Sequence, residues 1–150
     1  MTVEIETVTE RPLAAVRQWM RQPEIAARFR KPLDKVWAFV RQRPDLRPGL
    51  NVFLYRAVPD TPGIMDIDFG VEVARSFEAE GEVRCVTMPS GRAASMLHIG
   101  PYERLVETHT AVQDWCAANG RALAGVSWEI YGHWSDDPAK LETRVGYLLK

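Results

Sequence analysis

Cysteine is scarce: Cys85 and Cys116 are the only two in 150 residues. A chain of this length buries an adequate core for one domain without disulfide staples, so a reducing, cytoplasmic setting is expected. A surplus of charge is missing as well. Nineteen Lys and Arg against twenty Asp and Glu leave a formal net charge of −1. A domain that neutralises many phosphates carries a basic stripe or surplus, so nucleic acid is not expected as a direct partner. Long apolar runs are absent too, where a bilayer span needs roughly 20 residues. No basic start followed by an apolar stretch and a small-residue cleavage site opens the sequence. Neither a membrane nor secretion is therefore expected. Histidine is limited to His98, His109 and His133, and neither Cys-x-x-Cys nor His-x-x-x-His spacing occurs. No metal and no cofactor are expected, and no Gly-x-Ser-x-Gly elbow or phosphate loop is present.

What remains is an ordinary globular composition, 46% hydrophobic and 26% charged, arranged in a legible order. Residues 2–10 and 13–20 read as β-branched strand segments interrupted by Pro12. Pro23 suits the first position of a helix in which Ile25, Phe29, Leu33, Val36, Trp37 and Val40 recur near helical period. Pro32 inside that stretch is expected to kink it or split it. Residues 50–56 and 64–73 read as strands about the turn Pro59-Asp60-Thr61-Pro62-Gly63. The order then repeats. Residues 83–88 and 92–99 read as strands, and Gly100-Pro101 opens a helix with Leu105, Val106, His109, Val112, Trp115 and Cys116 on one stripe. Strands over 126–134 and 143–149 close the chain.

A shift of about 76 residues sets Leu50 to Tyr55 beside Val126 to Tyr131, and Asp66 to Val71 beside Glu142 to Tyr147. With small insertions Trp37 meets Trp115, in equivalent buried helix positions, and Trp19 meets His98. The expectation is one α+β domain over 1–150, made of two β-α-β-β halves at about 1–76 and 77–150. Antiparallel sheets would carry helices on one face, with a ligand groove where the halves meet. Strand parity gives Val52, Leu54, Trp128 and Ile130 one face, expected beneath the helices. The other face carries Asn51, Phe53 and Tyr55 in the first half and Ser127, Glu129, Tyr131 and His133 in the second.

Glu129 stands out on that second face. A carboxylate among rings, poorly solvated, attracts a cationic ligand or serves as a general acid or base; as a half-exposed strand residue it would simply bond a tyrosine hydroxyl. Phe53, Tyr55, Tyr131 and Tyr147 are candidate pocket rings, suited to planar, lipophilic or cationic compounds. Tyr102 reaches the same groove from the helix start. Trp19 and His98 complete the candidate ligand-binding set, while His109 and Cys116 read as core residues of the helix stripe.

The run Leu97-His98-Ile99-Gly100-Pro101-Tyr102, the Glu129-Ile130-Tyr131 strand and the closing strand resemble the gyrase-inhibitor-like (GyrI-like) effector-binding family. That resemblance implies two β-α-β-β modules about a ligand groove, with Glu129 as the groove glutamate and Tyr102 as the helix-start tyrosine. Three functions follow from it. The leading one is a stand-alone binder of a small hydrophobic or cationic drug, toxin or metabolite. The second is a hydrolase that opens a strained or reactive electrophile in the same groove with Glu129 as catalytic acid or base. The third is an interaction module that inhibits a macromolecular partner.

Overall fold

The computed structural model describes residues 2–150. Its eight strands and three helices divide into two units, residues 10–88 and residues 2–9 with 89–150. Residues 2–9 therefore group with residues 89–150.

The unit of residues 10–88 contains β2 (Arg11–Arg21), α1 (Ile25–Arg28), α2 (Arg30–Arg41), β3 (Asn51–Ala57), β4 (Ile64–Glu72) and β5 (Arg84–Met88). All pairings are antiparallel, in the order β3-β4-β2-β5. The helical stretch is split at Phe29, three residues before Pro32. Pro32 thereby falls in the first turn of α2, where a missing N–H leaves no helical bond unmade. Leu33, Val36 and Val40 form the buried stripe of α2, and Trp37 at its edge is half-buried, donating through its indole N–H to Asn51 at 2.8 Å. Phe29 packs its ring on Phe53. The helices therefore cover the face of Asn51 and Phe53. Val52 and Leu54 are buried but project from the opposite face, which reverses the expected arrangement.

The second unit contains β1 (Glu4–Val8), β6 (Gly91–Ile99), α3 (Leu105–Ala118), β7 (Leu123–Tyr131) and β8 (Glu142–Leu149), again antiparallel, in the order β1-β6-β8-β7. Leu105, Val112 and Cys116 of α3 pack with Ala94, Val145 and Leu149 of the strands, and Tyr131 and Tyr147 pack against this cluster. The buried stripe runs through Leu105, Thr108, Val112 and Cys116, with Trp115 half-buried beside it. Val106, expected on the stripe, is exposed, because it sits about 100° around the helix from Leu105. Gly120 closes α3 in the left-handed conformation, φ +67°.

The helix-bearing face of this unit also corrects the expectation. Glu129 and Tyr131 lie beneath α3, and Trp128 and Ile130 lie on the reverse side. Parity separates the two faces correctly, but it does not say which one the helix takes. The Trp128 indole lies across cross-strand Gly146 so closely that a Cβ there would overlap the indole nitrogen. The β7 ladder slips between Leu123 and Ser127, about Gly125 at φ +87°, and the strand ends at Tyr131 rather than Trp134.

Candidate functional site

The motif at the start of α3 has a mechanical role. Gly100 takes φ +140°, a conformation that side chains other than glycine rarely adopt, and turns the chain from β6 toward the helix. His98, buried at the end of β6, holds that turn. Its Nε2–H donates to the Pro101 carbonyl at 3.0 Å, which leaves Nδ1 to accept the Thr108 hydroxyl at 2.7 Å. Both ring nitrogens are thus engaged in fixing the helix start. This positions Tyr102 over Tyr131, edge to face with ring centroids 5.5 Å apart. Tyr102 remains partly exposed, and burial of the rest raises its phenol above the ordinary value.

Glu129 lies behind these rings. Its side chain is 8% exposed. Tyr131 donates its hydroxyl to Oε1 at 2.6 Å, and His109 bonds Oε2 through Nε2 at 2.7 Å. The other imidazole nitrogen, Nδ1, meets the Tyr147 hydroxyl at 2.7 Å. Burial first, and the Glu129 charge second, push the Tyr147 phenol up to about 12, against a smaller lowering by the hydroxyl of cross-strand Ser127. Tyr147 therefore keeps its proton at neutral pH. One assignment of protons satisfies the series: Tyr147 donates to His109 Nδ1, His109 Nε2–H to Glu129, and Tyr131 to Glu129. An ionised carboxylate is the natural terminus of such a series, because it only accepts.

The structure thus gathers Glu129, Tyr131, Tyr102 and Tyr147 in one place and adds His109, a residue expected in the core. A signal existed: two unexplained polar residues, one on a helix stripe and one on a strand face, each needing a partner if buried. Phe53 and Tyr55 lie in the unit of residues 10–88, buried on its helix-bearing face, with Phe53 edge-on to Phe69 at 4.8 Å. Trp19 does not share their face; it projects from the opposite side of that sheet, exposed. Cys116 is buried, and burial raises its thiol, as suits an inert packing residue. Among the described residues no group of three or more His, Cys, Asp or Glu is placed to hold a metal ion, and no helix is long and apolar enough to cross a membrane.

These features define an α+β domain of the small-molecule-binding kind, with a desolvated carboxylate held among phenols. The family model of the GyrI-like small molecule binding domain matches residues 1–148, and the chain belongs to that family. By sequence, no curated protein matches it. Solved structures do share the fold. EcmrR in a DNA complex superposes with a TM-score of 0.83 at 19% identity, over 99% of this chain and 57% of that one. This chain therefore spans just over half the length of EcmrR. SAV2435 bound to tetraphenylphosphonium gives 0.66 at 14% identity, covering 100% of this chain and 94% of that one. A hydrolase from Listeria innocua gives 0.68 at 13% identity, covering 99% and 91%.

Proposed function

We propose that this domain binds a small lipophilic cation, with Glu129 as the charge that selects it and Tyr102 and Tyr131 as the ring surface that receives it. The observation that carries the reading is the Glu129 carboxylate, nearly removed from water, with both oxygens held in place by Tyr131 and His109. A charge in that setting acts on a cation through a lower effective dielectric than at the surface, and phenol rings add cation–π attraction. The tetraphenylphosphonium bound to SAV2435 supports the ligand class. A reducing, cytoplasmic setting accompanies the reading, supported by the free thiols of Cys85 and Cys116. Duplication of one β-α-β-β unit accompanies it too, supported by the shared strand order of the two units. Direct contact with nucleic acid is not part of it, given the net charge of −1.

The test is calorimetric titration with tetraphenylphosphonium and with triphenylphosphine oxide, a neutral relative of similar bulk. Glu129→Gln is expected to weaken the cation roughly 10- to 100-fold, the worth of a charge-assisted contact, and to leave the oxide within about threefold. Equal losses for both compounds, or none for either, would refute the reading.

A second reading, hydrolysis of a reactive electrophile, is favoured by one observation: Tyr147, His109 and Glu129 stand in series as hydroxyl, imidazole and carboxylate. Against it, both His109 nitrogens are bonded within the protein, and a phenol held at about 12 is a poor nucleophile at neutral pH. Single-turnover assays with an epoxide decide between the two. Turnover that Glu129→Gln reduces about 10²–10⁴-fold would favour the hydrolase.

A further inference from the structure

A second group of charges lies in the unit of residues 10–88, on the sheet face turned away from the helices. Strand register puts it there. Arg17 pairs with Asp68, Trp19 and Arg56 pair with Asp66, and Arg84 pairs with Ala15; paired residues project from the same face. Asp68 is wholly buried and binds Arg56 Nη2 through one oxygen and Arg84 Nη2, at 2.8 Å, through the other. Asp66 receives the Arg17 guanidinium as a fork, Nε at 2.8 Å and Nη2 at 2.6 Å, and Arg56 Nε at 3.4 Å.

Three guanidiniums over two carboxylates leave a surplus of one positive charge. They also leave donors: Arg84 bonds a carboxylate through one of its three nitrogens, and Arg17 through two. The Arg17 and Arg84 side chains are 48% and 40% exposed. Trp19 beside them is 55% exposed, with the Arg17 guanidinium carbon 5.7 Å from its ring centroid. Buried ion pairs seldom stabilise a fold better than apolar packing does. What they secure here is direction: each guanidinium is fixed from behind by a buried acid, which leaves its remaining N–H groups preorganised toward solvent. Planar forks held in this way suit carboxylate and phosphate oxygens.

We propose that Arg17 and Arg84, oriented by Asp66 and Asp68, form a binding site for a small oxyanion, a phosphate or a carboxylate, with Trp19 as a ring surface beside it. The site is chemically the converse of the Glu129 region and does not depend on the cation reading. The experiment follows the arginine Nε–Hε signals of the 15N-labelled full chain during titration with inorganic phosphate, phenyl phosphate and benzoate, against sodium chloride at matched ionic strength. Saturable shifts are expected at Arg17 and Arg84 but not at Arg104, a surface arginine paired with Glu107. The tighter of phenyl phosphate and benzoate identifies the preferred oxyanion, and equal affinities identify a site that accepts both. Arg84→Lys, which keeps the charge and the partner but loses the fork, is expected to raise the dissociation constant about tenfold. Linear shifts equal to those in chloride, or equal shifts at Arg104, would overturn the proposal in the wild-type protein alone. An unchanged dissociation constant in a folded Arg84→Lys variant would overturn it as well.

Discussion

Replacing His109 by leucine keeps most of the volume under α3 and removes both of its hydrogen bonds. Glu129 then loses the Nε2–H donor at 2.7 Å, a charge-assisted bond worth about 1.5–3 kcal/mol. Tyr147 loses the acceptor of its hydroxyl, which leaves a largely buried donor unmet at about 1–3 kcal/mol. The two losses share one network, and the expected total is about 3–5 kcal/mol, within the range of their sum. With a urea dependence of about 1–3 kcal/mol per molar, the unfolding midpoint should fall by roughly 1–5 M. The control is a double-mutant cycle with Glu129→Leu. If His109 serves to hold the carboxylate, the double variant should be less destabilised than the sum of the singles by about 1.5–3 kcal/mol. Strict additivity, or a loss below about 1 kcal/mol for His109→Leu alone, would refute the coupling between His109 and Glu129.

Thr143, opposite both His98 and Tyr131 in the ladders, is fully buried with a hydroxyl that meets no partner among the described residues. Thr143→Val should therefore stabilise by about 1–2 kcal/mol and raise the melting temperature by several degrees; calorimetry that finds a loss would show that the hydroxyl is satisfied. Gly146→Ala places a methyl group where the Trp128 indole lies and should cost at least 1–3 kcal/mol, with a changed tryptophan emission spectrum. Arg17 and Arg56 hold the Asp66 carboxyl below its ordinary range despite burial, which opposes them. The stability this contributes is present above the unfolded-state value, near 3.9, and is lost as pH falls through the lower folded value. Wild type and Asp66→Asn, compared by urea unfolding, should converge in stability between about pH 5 and pH 2; curves that stay parallel would remove Asp66 from the acid response.

The elements were legible in the sequence because apolar periodicity and turn residues agreed, as at Leu33, Val36 and Val40 in α2 and Pro59 to Gly63 before β4. The pairing of Glu129 with Tyr131 on one strand face was legible from parity. The helix-bearing face was not, because an apolar face holding Trp128 looks like a core face until Gly146 is seen to offer it a flat cross-strand bed. His109 was hidden for a related reason. On a helix stripe with Leu105 and Val112 it reads as a packed residue, and its two partners come from strands 20 and 38 residues further on. The His98 clamp shows the other side of this. The His-x-Gly-Pro-Tyr motif is local and conspicuous, yet the histidine in it serves the turn, and only the tyrosine faces the rings around Glu129.

Strand β1 has a consequence for how the chain is made. Glu4 pairs with Ser95, so closing that ladder joins points 91 residues apart, whereas Tyr131 and Thr143 are separated by 12. In loop-closure terms the longer connection costs about 2 kcal/mol more. During synthesis β1 leaves the ribosome before all of residues 10–88, and β6, its mate, follows them. The contiguous unit has its whole sequence available while Val3 and Ile5, which belong against the α3 cluster, still have nothing to pack on. Over that interval the segment is an unpaired strand with open backbone groups and one apolar side uncovered, a form able to pair with another chain. A β1 that met the β6 edge of a neighbouring nascent copy would produce a strand-exchanged dimer. Crowded translation and slow elongation between residues 10 and 90 should favour that product over the monomer.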